Sequence, residues 1–309
     1  MSMDRLIEGI LKTQNPTVAG LDPKLSYIPE HIKAECFQKY GKTLDGAAAA
    51  LLAFNRGLID ALCDIVPAVK PQCAYYEMYG WQGMKALHDT IAYAREKGMF
   101  VITDGKRNDI GSTMEAYATA HLGKVDVEGE LQIPFDGDCL TVNGYLGSDG
   151  IVPLLNICKE QDKGIFVLVK TSNPSSGELQ NLKLEGGDTV YLTMGKKCEQ
   201  WGESTMGKYG YSGVGAVVGA TYPQQLGELR SALKTTFFLV PGYGAQGGGA
   251  DDVLPAFDEK GLGAVINSSR GIMCAYQKRG LPGEDFAKAA REEAIRMRDE
   301  IVGKLGKIG

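Results

Sequence analysis

The stretch Met99-Phe-Val-Ile-Thr-Asp104-Gly-Lys106-Arg-Asn-Asp109-Ile110 joins an apolar run directly to a cluster of charged residues. The apolar part, 99–103, predicts a buried strand that ends where the charges begin. Because side chains alternate between the two faces of a strand, we expect Asp104 and Lys106 to point the same way. Such a pair is costly to bury unless a site uses it, although an exposed ion pair in a loop would give the same pattern.

Similar apolar runs recur along the chain, each followed by Gly, Pro or polar residues and then by a longer amphipathic segment. Alternating strands and helices predict βαβ units with a parallel sheet, and strands that are apolar throughout predict burial on both faces. Eight such strands in 309 residues favour an α/β fold of the (β/α)8 TIM-barrel type, with a doubly wound open sheet as the alternative. The predicted strands are 17–21, 65–69, 99–103, 139–142, 164–169, 213–218, 236–240 and 262–266.

Segments between the strands have the composition or apolar spacing of helices, namely 45–59, 80–97, 110–122 and 282–304. Ser112 is the predicted N-cap of the third. Two stretches exceed what a minimal barrel needs: an insertion near 25–44, and a Ser/Gly/Pro-rich loop at 172–188, of a kind that often forms a lid. The chain, 1–309, is therefore predicted to be a single barrel domain with two insertions.

Composition argues against several classes of function. The net charge is −5, which disfavours a surface for nucleic-acid phosphates, and no apolar run approaches the roughly 20 residues that span a membrane. The seven cysteines are scattered and odd in number, which predicts reduced thiols in a cytoplasmic protein. The three histidines are also scattered, so neither a metal site nor a histidine-based triad is expected.

Polar and charged residues follow most of the predicted strands. In (β/α)8 barrels the active site is built from residues at the carboxyl ends of the strands and from the loops just beyond. Several Lys and Asp and one Arg on one rim are more than ordinary turn chemistry would place there. The candidates are Asp22, Lys24, Lys70, Gln72, Asp104, Lys106, Asp109, Asn143, Thr171, Ser172, Pro241, Gln246, Gly247 and Arg270.

The segment Gly242-Tyr-Gly-Ala-Gln246-Gly247 matches the GxGxxG pattern of dinucleotide-binding folds. That interpretation also requires an acidic residue at the end of the next strand, where this chain has Asn267-Ser-Ser-Arg270. Barrels often bind one phosphate on the loops after strands seven and eight, and backbone N–H groups of a Gly-rich turn favour an anion. Arg270 would grip the phosphate in bidentate fashion and Gln246 would donate from the side. The pattern favours a single phosphate, with a flexible turn as the alternative.

At these positions the sequence resembles the orotidine 5'-phosphate decarboxylase family. The family motif D-x-K-x-x-D-I stands at 104–110, after an Asp following strand one (Asp22) and a lysine on strand two (Lys70). The phosphate loop P-G-x-G-A-Q-G stands at 241–247, and Arg270 follows on strand eight. The order matches over roughly residues 17–275, and the longer branch of the family is favoured by the early insertion and by Lys-Thr-Ser-Asn at 170–173.

The resemblance implies decarboxylation of orotidine 5'-monophosphate (OMP) to UMP in de novo pyrimidine biosynthesis, with no metal and no organic cofactor. It also implies a homodimer, since part of the family motif enters the neighbouring subunit's site. The resemblance implies that Asp22 and Lys70 bind the ribose and that Asp104 and Lys106 contact the reacting C6 carbon. It implies that Ser172, with Thr171 near it, recognises the pyrimidine edge, and that Gln246, Arg270 and the Gly-rich loop bind the phosphate. The residues implied to enter the partner's site are Asp109, Ile110 and Thr113.

The charged residues fit this chemistry. Departure of CO2 leaves electron density on C6 with no carbonyl placed to delocalise it, so the protein must supply preorganised charge and a proton. Lys106 would protonate C6, Asp104 would crowd the substrate carboxylate, and Lys70 and Asp109 would keep the array ionised and in place. The alternatives are a metal-dependent keto-acid phosphate decarboxylase of the same barrel superfamily and a non-catalytic nucleotide-binding barrel.

Overall fold

Eight parallel strands form a closed barrel in the computed structural model, which describes residues 1–244 and 247–309. The barrel closes where Thr17 of the first strand pairs with Ile266 of the last. The (β/α)8 prediction is confirmed, and every predicted strand overlaps an observed one. Barrel strands one to eight are Thr17–Leu21, Ala68–Pro71, Phe100–Arg107, Cys139–Val142, Gly164–Lys170, Val214–Val218, Phe238–Val240 and Ala264–Ser268.

Helices and short turns fill the connections between the strands. The α-helices are Ser2–Thr13, Glu30–Tyr40, Leu44–Leu62, Ala74–Glu77, Gly80–Glu96, Gly111–Leu122, Val152–Gln161, Gly177–Gln180, Val190–Gly202, Pro223–Ala232, Ala250–Val253, Arg270–Met273, Ala275–Lys278 and Phe286–Leu305. The 3-10 turns are Leu25–Tyr27, Gly147–Gly150, Pro174–Ser176, Glu203–Thr205, Leu254–Ala256 and Gly283–Asp285. Among the described residues, no helix is both long enough and apolar enough to cross a membrane.

Three local details differ from the sequence-based expectations. Ser112 is not an N-cap, because the helix begins one residue earlier, at Gly111, where a φ of 52° turns the chain. The stretch 172–188 is more ordered than a plain loop, since it contains the turn Pro174–Ser176 and the helix Gly177–Gln180. An exposed antiparallel hairpin, Val125–Val127 with Glu130–Gln132, was not predicted, and its strands are only three residues long.

The amino end of the barrel is closed by the N-terminal helix Ser2–Thr13, which was not predicted either. Its residues Met3, Leu6, Ile7 and Ile10 are fully buried. They belong to one apolar cluster with residues from all eight strands, which places that cluster inside the barrel. The other two clusters pack the outer faces of the strands against the surrounding helices. The amino end is therefore filled with side chains, and open space is left at the carboxyl end.

A charged cluster holds the N-terminal helix Ser2–Thr13, called the plug helix below, in place. Asp138, which directly precedes strand four, is 1% exposed. Its Oδ1 accepts hydrogen bonds from Arg5 at 2.8 Å and from Arg95, and its Oδ2 accepts from the backbone N–H of Val101 at 2.9 Å. Arg5 lies on the N-terminal helix and Arg95 on the helix before strand three, so one carboxylate joins three distant segments. All seven cysteines lie in the described part of the chain, and none is paired with another.

Candidate active site

A cavity of about 580 Å³ opens at the carboxyl ends of the strands, opposite the plugged end. Most of the rim candidates that were predicted from strand ends line it, and they come from strands one, two, three, five, seven and eight. The lining residues are Asp22, Lys24, Tyr27, Lys70, Tyr75, Asp104, Lys106, Thr141, Leu168, Thr171, Ser172, Asn173, Val217, Leu239, Pro241, Gly242, Tyr243, Asn267, Ser269 and Arg270.

Asp104 lies between two lysines at the floor of this cavity. The Lys70 Nζ is 2.5 Å from Asp104 Oδ2, and the Lys106 Nζ is 2.7 Å from Asp104 Oδ1. The side chains of Lys70 and Asp104 are 6% and 9% exposed, whereas that of Lys106 is 46% exposed. The ammonium group of Lys106 is therefore the one that faces open space, and Lys70 is held behind it.

The lysines determine the charge state of this array. Burial by itself would raise the pKa of the Asp104 carboxyl, but the positive charges of Lys70 and Lys106 outweigh it and hold that pKa below its usual value. Burial likewise would lower the pKa of Lys70, but Asp104 and Asp22 raise it. Both groups therefore stay ionised at neutral pH, although burial would favour the neutral form of either group without its partners.

Asp104 and Lys106 do meet, but regular strand alternation is not the reason. Lys106 has a φ of 48°, in the left-handed region that a lysine rarely adopts. Strand three also shifts its register against strand four between Thr103 and Arg107, so the motif sits on a bulge. The bulge faces Thr141, a cavity residue that sequence reasoning missed because it lies inside an apolar run.

Asp22 and Lys24 extend the charged surface from strand one. The Asp22 Oδ1 atom is buried and has no hydrogen-bond partner among the described residues, so a ligand hydroxyl could satisfy it. The Lys24 Nζ lies 5.7 Å from the ring centre of Tyr27 and 5.6 Å from that of Tyr75. These two aromatic residues were not predicted, and nothing in their local sequence marks them.

The loop after strand five brings Thr171 and Ser172 to the cavity wall and holds them by hydrogen bonds. The Thr171 N–H donates to Gln180 Oε1 at 2.9 Å, and the Ser172 carbonyl accepts from Thr221 Oγ1 at 3.1 Å. Gly219 allows this close approach, because a Cβ there would lie 2.8 Å from the Cα of Ser172. The neighbouring Lys170 is fully buried; its Nζ donates to Ser176 Oγ at 2.7 Å and lies 4.2 Å from the Tyr222 ring centre.

The Gly-rich loop after strand seven forms another part of the cavity wall. Gly242 and Gly244 have φ values of 102° and 71°, which only glycine adopts readily, and Pro241 lines the cavity beside them. Arg270 lines the cavity at the start of the helix after strand eight. Gln246, predicted to contact the phosphate, lies outside the described residues.

Six predicted site residues are not among those that line this cavity. Gln72 Oε1 instead accepts from the Ala74 N–H at 3.2 Å, and Asn143 Oδ1 accepts from the Tyr145 N–H at 3.0 Å. Gly247 is exposed on the Gly-rich loop. The other three are Asp109, Ile110 and Thr113, the residues expected to enter a partner's site.

Two of those three residues, Ile110 and Thr113, are exposed on the surface of the chain, and Asp109 is half-buried beside them. Ile110 is 52% exposed, a high value for a large apolar side chain, and Thr113 is exposed as well. The Asp109 carboxylate accepts the Ile110 N–H at 2.8 Å. Within the described residues, no group of three or more His, Cys, Asp and Glu side chains is arranged to hold a metal ion.

Comparison with known proteins gives consistent matches. The model of the orotidine 5'-phosphate decarboxylase / HUMPS family matches residues 52–280. The chain is 44% identical over 303 residues to the orotidine 5'-phosphate decarboxylase of Rhodopirellula baltica, covering 97% of this chain and 98% of that protein. It is 29% identical to the solved OMP decarboxylase of Leishmania donovani, with a TM-score of 0.75 and 99% of both chains covered. It is also 31% identical to the UMP synthase of Leishmania donovani, with a TM-score of 0.73; that match covers 97% of this chain and 56% of that longer one.

A closed barrel with a cavity of paired ammonium and carboxylate groups at its carboxyl end defines a (β/α)8-barrel enzyme. The family match spans most of the chain, and the Rhodopirellula relative aligns over nearly the full length of both proteins. The chain belongs to the orotidine 5'-phosphate decarboxylase family. The resemblance inferred from the motif at 104–110 is thereby confirmed.

Proposed function

We propose that this protein is a carboxy-lyase that decarboxylates OMP to UMP, a step of pyrimidine biosynthesis. The observation that carries the proposal is the Lys70–Asp104–Lys106 array inside a cavity large enough for a nucleotide, in a chain whose relatives bear this activity in their names. The array supplies fixed charge beside the substrate, which loss of CO2 from C6 requires.

The cavity walls suggest how OMP would lie. Its phosphate would sit on the Gly-rich loop, gripped by Arg270 with help from Pro241, Gln246 and Gly247. The ribose hydroxyls would meet Asp22, with its unsatisfied oxygen, and Lys24, Lys70 and Gln72 nearby. The pyrimidine edge would face Thr171 and Ser172, with Asn143 beyond. This orientation puts C6 over Asp104 and Lys106.

The reaction would then proceed without a covalent intermediate. Asp104 is held ionised by its lysines, so it repels the substrate carboxylate placed against it. The bond between C6 and the carboxylate carbon breaks, CO2 leaves, and the electron pair stays on C6. Lys106, whose ammonium group is the exposed one of the pair, stabilises that charge and gives C6 a proton from its Nζ. Lys70 remains behind to keep Asp104 in place.

The active unit would be a homodimer in which each site borrows Asp109, Ile110 and Thr113 from the neighbouring subunit. Support comes from their location, since all three residues lie outside their own chain's cavity and Ile110 exposes an apolar side chain. The whole chain would work as one barrel domain in the cytoplasm, with the substrate and a second copy as its partners and with no nucleic-acid or membrane surface.

The direct test is the loss of OMP absorbance on mixing with purified protein in the presence of EDTA. Stoichiometric release of UMP at an undiminished rate is expected. Activity that EDTA abolishes would favour the metal-dependent decarboxylase, and binding of OMP without turnover would favour a nucleotide-binding barrel.

Subunit complementation tests the shared site. Lys106→Ala and Asp109→Ala are each expected to be nearly inactive, but subunits mixed in equal amounts should regain activity in about a quarter of the sites, because each mixed dimer rebuilds one complete site. If exchange of subunits is verified and no activity returns, Asp109 acts in its own chain's cavity.

A further inference from the structure

The bulge that carries the charged motif has an unusual register. Thr103 on strand three pairs with Leu140 on strand four, and Arg107 pairs with Val142. Residues 104–106 therefore face a single residue, Thr141. Backbone groups in such a bulge lose their ladder partners and must find others, because an unpaired buried N–H is costly.

One hydroxyl satisfies this need. The Thr141 Oγ1 accepts a hydrogen bond from the Lys106 N–H at 3.0 Å and donates one to Asp104 Oδ1 at 2.8 Å. Thr141 is 1% exposed, so water does not compete for these bonds. The same oxygen thus fixes the backbone of the proton donor and the carboxylate of its neighbour.

The two hydrogen bonds of Thr141 hold conformations of Lys106 and Asp104 that would otherwise relax. The φ of Lys106, 48°, costs free energy for a lysine and persists only where surrounding contacts impose it. The two carboxylate oxygens of Asp104 have different partners: Oδ2 accepts a hydrogen bond from Lys70, and Oδ1 accepts from Lys106 and Thr141. Without the hydroxyl, the carboxylate could rotate about its terminal torsion and the backbone of Lys106 would lose its tether.

We propose that Thr141 is a positioning residue for the decarboxylation, holding Asp104 and Lys106 at the separation and orientation that the reaction needs. The inference rests on the proposed function, because it concerns the same site. Thr141 acts through these two residues and needs no bond to substrate, so its effect belongs on the chemical step and not on substrate binding.

The test uses Thr141→Val, which keeps the shape and removes the hydroxyl, and Thr141→Ser, which keeps the hydroxyl. Thr141→Val is expected to lower kcat about 100-fold with KM within about 3-fold of wild type, since small misplacements of reacting groups cost about that much. Thr141→Ser should recover most of kcat. The matched control is Thr103→Val, whose buried hydroxyl has no hydrogen-bond partner among the described residues and whose loss should leave kcat unchanged.

The outcomes separate the two proposals. An active wild type with an equally active Thr141→Val would overturn the positioning role and leave the proposed function intact, whereas an inactive wild type would overturn both. If Thr141→Val lowers kcat, raises KM and lowers the urea midpoint together, and Thr141→Ser does not restore kcat, the role of Thr141 is purely structural and the inference is contradicted. If Thr141→Val does not fold, Thr141→Ala replaces it as the variant without a hydroxyl and is judged against Thr141→Ser by the same criteria.

Discussion

Two buried carboxylates, one at each end of the barrel, are each held by two cations. At the carboxyl end Asp104 binds Lys70 and Lys106, and at the amino end Asp138 binds Arg5 and Arg95. The amino-end cluster joins segments far apart in the chain, on the plug helix and on the helix before strand three. The carboxyl-end cluster lies on two neighbouring strands and faces a cavity.

The choice of cation separates their roles. Arginine stays charged at any ordinary pH and forms a rigid fork, which suits a permanent fastening. Lysine can give up a proton, and Lys106 is 46% exposed toward the cavity on a strained backbone. We therefore propose that similar charge pairing serves stability at one end and chemistry at the other. Substitutions at the carboxyl end should mainly lower activity, and substitutions at the amino end should mainly lower stability.

The largest effect is expected for Lys106→Ala. Removing the proposed proton donor and its positive charge should lower kcat by more than about 10⁴-fold, while the protein stays folded. Steady-state turnover of OMP measures kcat and urea unfolding checks the fold. The control is Lys85→Ala, a lysine paired with Asp89 on an exposed helix face, which should leave kcat unchanged. A Lys106→Ala enzyme within tenfold of wild type would contradict the assignment of the donor.

Arg270→Ala and Arg95→Ala compare an arginine at the cavity with an arginine in the amino-end cluster. Losing charge-assisted hydrogen bonds to the phosphate should raise KM for OMP about 10- to 100-fold. Orotidine lacks the phosphate, so wild type and Arg270→Ala should process it equally slowly. Arg95→Ala, in the amino-end cluster, should instead lower the urea midpoint and leave KM unchanged. An equal loss on OMP and orotidine would show that Arg270 does not act on the phosphate.

The smallest effect concerns His121, near the amino-end cluster. It is 4% exposed and stacks on Phe135 with the ring centres 5.4 Å apart. Burial, helped by the charge of Arg107, lowers the pKa of His121 from 6.5 to about 4. Between about pH 6.5 and 4, the unfolded chain therefore binds a proton at His121 that the folded chain does not bind. The contribution of the neutral His121 to the free energy of unfolding is complete above about pH 6.5 and declines as the pH falls toward 4.

His121→Gln should accordingly flatten the fall in unfolding free energy between pH 6.5 and 4, measured by urea titrations across that range. His31→Gln, at an exposed histidine, serves as the control for the substitution itself. The pH profile of kcat should be the same in both variants, because His121 is not among the residues that line the cavity. An unaltered stability slope in His121→Gln would show that this histidine does not titrate as described.

The sequence predicted the barrel because each strand is a short apolar run, and it predicted most of the cavity because parallel strands deliver their end residues to one rim. Thr141 was missed because it stands inside the run Cys139–Val142, where a threonine looks like part of a buried strand. The bulge was missed because nothing in the composition of Asp-Gly-Lys shows that Lys106 adopts a positive φ.

The amino-end cluster was missed for a different reason. Arg5, Arg95 and Asp138 are separated by 43 to 133 positions, and only the folded chain brings them together. The plug helix, in contrast, carried a readable signal, since Met3, Leu6, Ile7 and Ile10 repeat at helical spacing. Gln246 lies outside the described residues, so its predicted contact with the phosphate stays a prediction.

The central claim is that the carboxyl-end carboxylate serves chemistry and the amino-end carboxylate serves stability. Its most direct test is to measure kcat and the free energy of unfolding side by side for Asp104→Asn and Asp138→Asn. Asp104→Asn should lower kcat at least about 100-fold, whereas Asp138→Asn should keep kcat within about 3-fold of wild type and lower the free energy of unfolding by about 3 kcal/mol. Equal losses of kcat in the two variants would contradict the claim.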